Sequence, residues 1–172
     1  PWEAAKQGIA VEGDDVAFRC NLVTLADGAM QRFTAGHIPT EEADVLVQAL
    51  NEALSDLPVT FYTGVSYRHL AIVRADGAAA EALPATVCTP PHDISDRAFA
   101  PHLPSGPGSD LVRTIMSRSQ EVLRDHPVNA KRVAAGSPPA TSAWLWGQGR
   151  APSMDNYHSR FGLSGAVISA VD

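Results

Sequence analysis

The run Asp15-Val16-Ala17-Phe18-Arg19-Cys20-Asn21-Leu22-Val23-Thr24 decides how this chain folds. Its apolar residues stand at every second position: Val16, Phe18, Cys20 and Leu22. That spacing predicts a β-strand with one buried face, and it places Arg19 and Asn21 side by side on the other face. A guanidinium next to an amide gains nothing from burial in an apolar core. The second face is therefore either exposed to solvent or in contact with a polar or anionic ligand.

The next segments predict a helix and a β-hairpin. Thr40 has the character of a helix N-cap, since acidic residues follow it and apolar residues then recur at helical spacing up to Pro58. Residues 59–65 are rich in β-branched and aromatic side chains, which favours a strand. Residues 67–74 follow directly and predict its hairpin partner.

A second helix and a last strand follow a long connection. Residues 78–108 are rich in alanine and proline, and we expect a long loop that is either functional or disordered. The helix is predicted to begin at Ser109 as N-cap and to stop at His126-Pro127. Residues 143–146 predict a short strand, closed by a turn at Gly147-Gln148-Gly149.

The resulting order is strand, helix, strand, strand, helix, strand. This order predicts a ferredoxin-like α+β fold over residues 1–172: a mostly antiparallel sheet with both helices on one face and right-handed crossovers. In that fold the first and third predicted strands are central neighbours. Arg19 and Arg68 would then lie close together.

Composition excludes some classes of function. The chain has 13 basic and 19 acidic residues and a net charge of −6, which argues against binding to nucleic acids or anionic membranes. No apolar run is long enough to span a bilayer, and we expect a cytoplasmic protein. The two cysteines, Cys20 and Cys88, match no metal-site spacing and no disulfide framework, and Cys20 is expected to be a buried free thiol.

The two arginines allow two explanations. A pair of neighbouring guanidiniums suits an anion such as phosphate or carboxylate. Alternatively, Arg19 and Arg68 each pair with a local acid or with solvent. Spacing alone does not separate these explanations.

Other candidates have equally plain alternatives. His92 with Asp93 forms either a polarised acid/base or metal pair, or an ordinary loop turn. His37 precedes the first helix and either belongs to a functional site or only helps to cap that helix; of the two, we expect the capping role. Lys131 and Arg132 are explained by their position near a helix C-terminus. Trp144 and Trp146 share one strand face, where packing in the core or at an interface is the usual role.

The sequence contains no convincing catalytic triad and no convincing metal-ligand spacing.

The first residue and the last segment of the sequence bear on whether it is a whole protein. It begins at Pro1 and finishes on an apolar, strand-like run over 166–172. Such a run needs a sheet to cover it. We therefore expect this sequence to be a piece cut from a longer protein.

Five segments, taken in order, resemble one family: 17–21 (AFRCN), 34–38 (TAGHI), 66–70 (SYRHL), 90–94 (PPHDI) and 144–149 (WLWGQG). They are similar to the archaeal-type 2,3-bisphosphoglycerate-independent phosphoglycerate mutases of the alkaline phosphatase superfamily. The resemblance implies an isomerase of glycolysis that moves phosphate between the 3- and 2-hydroxyls of glycerate through a phosphoserine, aided by two divalent metals, usually manganese.

The resemblance also implies a division of labour. This chain would be a domain inserted into a metal-binding core, closing over the substrate without a catalytic residue or metal ligand of its own. The implied substrate-binding residues are Arg19, Asn21, Arg68, His92, Asp93, Lys131, Arg132 and Gln148. The serine nucleophile and metal ligands would lie outside the sequence.

Two other functions remain open. The resemblance extends to a related branch of the family that has been proposed to phosphorylate homoserine, and the same motifs do not exclude that branch. A ferredoxin-like module that binds a small anion without catalysis is a further alternative, and the sequence flanking this chain would separate it from an enzyme.

Overall fold

The computed structural model describes residues 8–74 and 76–151. In chain order its elements are β1 (Val16–Ala26), β2 (Ala29–Arg32), α1 (Thr40–Ala53), β3 (Val59–Val65), β4 (Arg68–Val73), α2 (Gly77–Ala82), α3 (Ser109–Arg124), α4 (Pro127–Ala134) and β5 (Ser142–Arg150). The predicted βαββαβ order is confirmed in β1, α1, β3, β4, α3 and β5. The strand-like run predicted over 166–172 lies outside the described residues.

The sheet has the arrangement expected of a ferredoxin-like α+β fold. All its strand pairs are antiparallel. β4 and β5 both pair with residues 16–21 of β1, so they must lie on its two opposite edges. β3 pairs with β4, which gives the order β3-β4-β1-β5, and β2 forms a hairpin with the last residues of β1. The predicted adjacency of the first and third strands is confirmed by the β1–β4 pair.

The predicted apolar face of β1 lies in the main core. The core contributions from β1, α1 and α3 are Val16, Phe18, Cys20 and Leu22; Ala43, Leu46, Val47 and Leu50; and Val112, Ile115, Met116 and Leu123. A smaller cluster of Ala17, Leu70 and Ile72 lies on the opposite sheet face, against Ile9, Val11 and Tyr62. The sheet is therefore covered on one face by helices and only in part on the other.

The segment over 78–108, expected as a long loop, contains local structure. It holds most of α2 and three short 3-10 helices at Leu83–Ala85, Pro91–Ile94 and Ala100–His102. Isolated bridges join Ala29 to Ala98 and Met30 to Ser95, so the segment is fastened to β2. Its Phe99 ring stacks edge-on against Trp144 at 6.5 Å. The segment thus covers the Trp144 end of the second sheet face.

Two predicted helix caps are wrong. Pro39 occupies the cap position of α1, and Thr40 is the first helical residue. The Thr40 hydroxyl oxygen instead accepts a hydrogen bond from the Ser66 backbone N–H at 3.0 Å, which ties the start of α1 to the β3–β4 turn. Ser109 likewise follows the cap residue, Gly108, whose φ is 76°.

The His126-Pro127 pair, which was predicted to end a helix, also begins the next helix, α4. The His126 Nδ1 accepts a hydrogen bond from the Val128 N–H, and Pro127 stands at the first position of α4, where its missing N–H costs nothing. This short helix was not predicted. Among the described residues, no helix combines the length and the apolar character that crossing a bilayer requires.

A buried histidine lies next to Arg68 on β4. His69 is 3% exposed and its Nδ1 accepts a hydrogen bond from the Gly64 N–H at 3.1 Å. Its Nε2 has no hydrogen-bond partner among the described residues. Burial disfavours the charged imidazolium and lowers the pKa of His69 from 6.5 to about 4, although Asp44 nearby acts in the opposite direction.

We predict that this histidine makes stability depend on pH. Between pH 6.5 and about 4 the unfolded chain binds the proton more readily than the folded one. The free energy of unfolding should therefore fall as the pH falls through that window, by about 3 kcal/mol from this residue. The contribution is complete above the window and is lost below it. Urea denaturation across a pH series measures the loss.

His69→Asn is the matched variant, because its amide oxygen can take the hydrogen bond from Gly64 but does not titrate. Its unfolding free energy should vary less with pH across the same window. Parallel losses in the variant and the unmodified chain would contradict the assignment.

Candidate functional site

Arg19 and Arg68 lie on the same sheet face. Arg19 pairs with Leu70 across β1 and β4, and Asn21 pairs with Arg68, so the two arginines are diagonal neighbours. Diagonal neighbours lie about 7–8 Å apart, within reach of long side chains. Both side chains are exposed. Arg19 follows Ala17 on this face of β1, and Arg68 precedes Leu70 on the same face of β4, so both arginines border the apolar cluster of Ala17, Leu70 and Ile72. The structure therefore brings together the two cations that the sequence placed on central strands.

An aromatic residue accompanies each arginine. The Arg19 guanidinium carbon lies 4.9 Å from the centroid of the Trp146 ring, its cross-strand partner on β5. The Arg68 guanidinium carbon lies 5.8 Å from the Tyr67 ring centroid. Both distances are within the range of a cation–π contact, which restricts where each guanidinium can point.

Asn21 is buried between these residues. It is 4% exposed, its Nδ2 donates to the Phe33 carbonyl at 3.1 Å, and its Oδ1 accepts from the Trp146 indole N–H at 3.1 Å. Both polar ends of the amide are engaged within the protein. Asn21 is thus next to the predicted site, and its role there is structural in the first instance.

The turn that follows β2 has an uncommon backbone. Ala35, Gly36 and His37 have φ values of 46°, 67° and 53°, a conformation that non-glycine residues seldom adopt. A side chain on Gly36 would lie 2.8 Å from the Pro138 ring, so only glycine fits there. The turn brings the exposed His37 ring to 5.8 Å from Tyr67. Among the described residues no side-chain hydrogen bond caps α1, so the expected capping role of His37 is wrong.

His92 and Asp93 complete the same region. They lie in the short helix Pro91–Ile94, and the His92 ring stands edge-on to Trp146 at 5.3 Å and to Phe33 at 6.2 Å. The His92 Nε2 is 3.6 Å from the Asp93 carboxylate. Both side chains are about half exposed, so this contact between them is weak in water. His92 is nevertheless positioned beside the Arg19–Trp146 contact.

Gln148 points away from this region because of a β-bulge. The predicted turn over 147–149 is wrong, since β5 continues to Arg150. The β1–β5 register shifts between Ala17 and Arg19, and Gly147 has a φ of 58° at this bulge. Gly149 pairs with Ala17, so Gln148 is on the opposite face from Arg19, and its Nε2 donates to the Thr86 carbonyl.

Lys131 and Arg132 lie on α4, apart from the two arginines of the sheet. Lys131 is exposed, whereas Arg132 is 6% exposed. Arg132 donates to the Pro138 carbonyl at 2.9 Å and to the Ala35 carbonyl at 2.8 Å, and it contacts the Glu42 carboxylate at 2.5 Å. Arg132 therefore holds the strained turn that carries His37. Substrate binding by Lys131, Arg132 and Gln148 stays a prediction.

Neither cysteine is suited to act as a nucleophile. Burial raises the pKa of Cys20 to about 12 and that of Cys88 to about 11, which leaves both as neutral thiols. The free, buried state expected of Cys20 is confirmed. Within the described ranges, no group of three or more His, Cys, Asp or Glu side chains could hold a metal ion. These residues therefore provide no ligand set for the implied metals.

The arrangement is suited to holding an anion. Two guanidiniums share an exposed area bordered by an aromatic rim of Phe33, His37, Tyr67, His92 and Trp146. The sequence interpretation missed Phe33 and Tyr67 as parts of the region, although Phe33 directly precedes the quoted segment 34–38 and Tyr67 lies within the quoted segment 66–70. Their signal was weak because an aromatic residue beside a strand end usually belongs to the core.

A family model and two similar proteins of known name carry the same description. The family model described as 2,3-bisphosphoglycerate-independent phosphoglycerate mutase matches residues 1–129. A protein of that name from Methanosarcina barkeri is 46% identical over 172 residues, covering 100% of this chain and 42% of the relative. A probable mutase of the same name from Geobacter sulfurreducens is 43% identical and also covers 100% of this chain but 43% of the relative.

A solved structure agrees in fold. The cofactor-independent phosphoglycerate mutase from Thermoplasma acidophilum matches with a TM-score of 0.70 and 20% identity, over 92% of this chain and 43% of the other. At that identity the likeness supports the fold alone. The chain spans less than half the length of these relatives.

We predict different roles for the adjacent basic residues of α4. Arg132→Met leaves the Ala35 and Pro138 carbonyls and the Glu42 carboxylate without their partner, so the free energy of unfolding should fall by about 3–5 kcal/mol. Lys131→Met, the neighbouring control, should change it by no more than about 0.5 kcal/mol. Chemical denaturation of both variants measures the difference, and equal effects would contradict the assignment.

Proposed function

Because the chain belongs to the 2,3-bisphosphoglycerate-independent phosphoglycerate mutase family, we propose that it is the substrate-closing domain of an enzyme that converts 3-phosphoglycerate to 2-phosphoglycerate. The observation that carries this proposal is the pair of exposed guanidiniums, Arg19 and Arg68, on one sheet face. The substrate has two anionic groups, a phosphate and a carboxylate. Two guanidiniums held on neighbouring strands suit them, because each can form bidentate hydrogen bonds.

We assign positioning and water exclusion to this domain. Phosphoryl transfer depends on placing the reacting groups and on stabilising charge more than on covalent help. Between the two transfer steps the glycerate must stay bound while it reorients, so that first one of its hydroxyls and then the other faces the phosphate. A surface that binds its anionic groups and closes over them would hold it and keep water from the phosphorylated enzyme.

The serine nucleophile and the two divalent metals, with manganese expected, belong in this proposal to the rest of the protein. When bound, such metals stabilise the charge of the transferring phosphate. The described residues offer no ligand set for them, so no step is assigned to a metal held here. The partner surface is accordingly the metal-binding core, and a cytoplasmic location is part of the same proposal.

His92 and Asp93 are proposed as further substrate contacts. His92 stands between the Trp146 and Phe33 rings with its Nε2 3.6 Å from the Asp93 carboxylate, and an imidazole N–H can donate a hydrogen bond to an anion. A donor at this point lies beside Arg19 and could reach the same anion. Lys131, Arg132 and Gln148 are retained only from the resemblance, since the structure does not bring them into this region.

We predict that Arg19 and Arg68 are both needed for normal turnover. In the full-length protein, Arg19→Ala or Arg68→Ala should lower kcat/KM for 3-phosphoglycerate by about 100-fold, because each change removes a cation from a desolvated anion. Arg124→Ala, which removes an exposed arginine at the end of α3, is the control and should retain normal turnover. Formation of 2-phosphoglycerate is the measurement. Near-normal turnover in both Arg19→Ala and Arg68→Ala would contradict the proposal.

We also predict that the 172-residue chain alone has no mutase activity, because it lacks the proposed nucleophile and metals. The full-length protein should be assayed with 3-phosphoglycerate and, separately, with ATP and homoserine. Turnover of the second pair only would assign the chain to the homoserine-phosphorylating branch. Turnover of neither, with anion binding retained, would favour the non-catalytic module.

A further inference from the structure

One contact on the second sheet face fixes a side chain that the proposed function uses. Arg19 and Trp146 are cross-strand partners on β1 and β5, and the guanidinium carbon lies 4.9 Å from the indole centroid. A side-chain carbon on Gly147 would lie 3.4 Å from the Arg19 Cδ and 3.8 Å from its Cγ. The aliphatic part of Arg19 therefore crosses the backbone at Gly147, and its charged end rests over Trp146.

The Trp146 ring is itself held in place. Its indole N–H donates to the Asn21 Oδ1 at 3.1 Å, while the Asn21 Nδ2 donates to the Phe33 carbonyl at 3.1 Å. An indole N–H can only donate and a carbonyl can only accept, so only this orientation of the Asn21 amide satisfies both partners. The amide, and through it the indole ring, has one favoured position.

The backbone at Gly147 contributes to the same arrangement. Its φ of 58° and the register shift beside it form the bulge that follows Trp146. Bulges of this kind redirect side chains, and here the strand reverses its facing after Trp146. Without the bulge, Gln148 would share the face of Arg19. The bulge therefore turns the Gln148 amide away from this face, so that Trp146 is the β5 side chain beside Arg19 and no amide from Gln148 lies next to it.

From these contacts we infer that Trp146, held by Asn21, is a positioning residue that sets the direction of the Arg19 guanidinium, and that Asn21 acts through Trp146 rather than by contacting substrate. The inference rests on the proposed function, since it concerns how Arg19 binds the substrate anion. It departs from the resemblance, which implied direct substrate contact for Asn21. A pre-positioned guanidinium has less freedom to lose when the anion binds.

The test is a double-mutant cycle on kcat/KM for 3-phosphoglycerate in the full-length protein. Trp146→Leu removes the aromatic surface and should cost about 10- to 100-fold. In the Arg19→Ala background the same change should cost less than about 3-fold, because the side chain that it positions is already gone. In the Arg68→Ala background it should retain its full effect, since Arg68 lies by Tyr67 instead.

Two further measurements separate positioning from general damage to the fold. Trp146→Phe keeps a flat ring beneath Arg19 and should recover most of the activity lost in Trp146→Leu. Thermal unfolding of each variant identifies any that fail to fold, and Trp146→Met, which also lacks a ring beneath Arg19, then replaces Trp146→Leu in the cycle.

The outcomes are distinguishable. Wild-type turnover in Arg19→Ala would overturn the proposed function of the site. A large loss in Arg19→Ala, with an equal and additive loss from Trp146→Leu in that background, would leave the proposed function standing and overturn the positioning role. Wild-type turnover in Trp146→Leu would overturn it as well.

Discussion

Because side chains alternate along β1, one strand serves two surfaces at once. Its apolar residues anchor the helices to the sheet, and the intervening positions carry Arg19 and Asn21. Both edges of β1 are paired, with β4 supplying Arg68 on one side and β5 supplying Trp146 on the other. A slip of one residue in either register would exchange the two faces, burying a guanidinium and exposing part of the core. The packing of the core therefore also fixes the position of the candidate site.

The second sheet face depends on a strained turn held from the helical side. Ala35 and His37 have positive φ values, which cost energy for residues with a side chain. Arg132 supports the turn through the Ala35 carbonyl, and Pro138 packs against Gly36. Phe33, just before the turn, accepts the hydrogen bond from Asn21. The buried guanidinium thus belongs to the same connected set of contacts as the exposed ones, although it does not face the same surface.

Local patterns predicted the parts of this fold that depend on local physics. The alternation in β1, the helical spacing in α1 and α3 and the sharing of one face by Trp144 and Trp146 are all confirmed. The failures involve partners distant in sequence. Thr40 bonds to Ser66 instead of capping its own helix, Gly147 forms a bulge instead of a turn, and Arg132 reaches the turn at Ala35. A glycine or a cation has the same local signal in either role, so spacing could not separate them.

An exposed pair of guanidiniums is by itself a weak anion site. In water each cation is solvated and screened, and a surface ion pair is worth only about 0–1 kcal/mol. The same charges interact far more strongly once a second surface excludes water from them. Arg19 and Arg68 lie on the part of the sheet between the apolar cluster at Ala17 and the covered Trp144, with aromatic rings at the border. Such a surface would be nearly inert when open and strongly selective for an anion when closed, which is the behaviour that a substrate-closing domain requires.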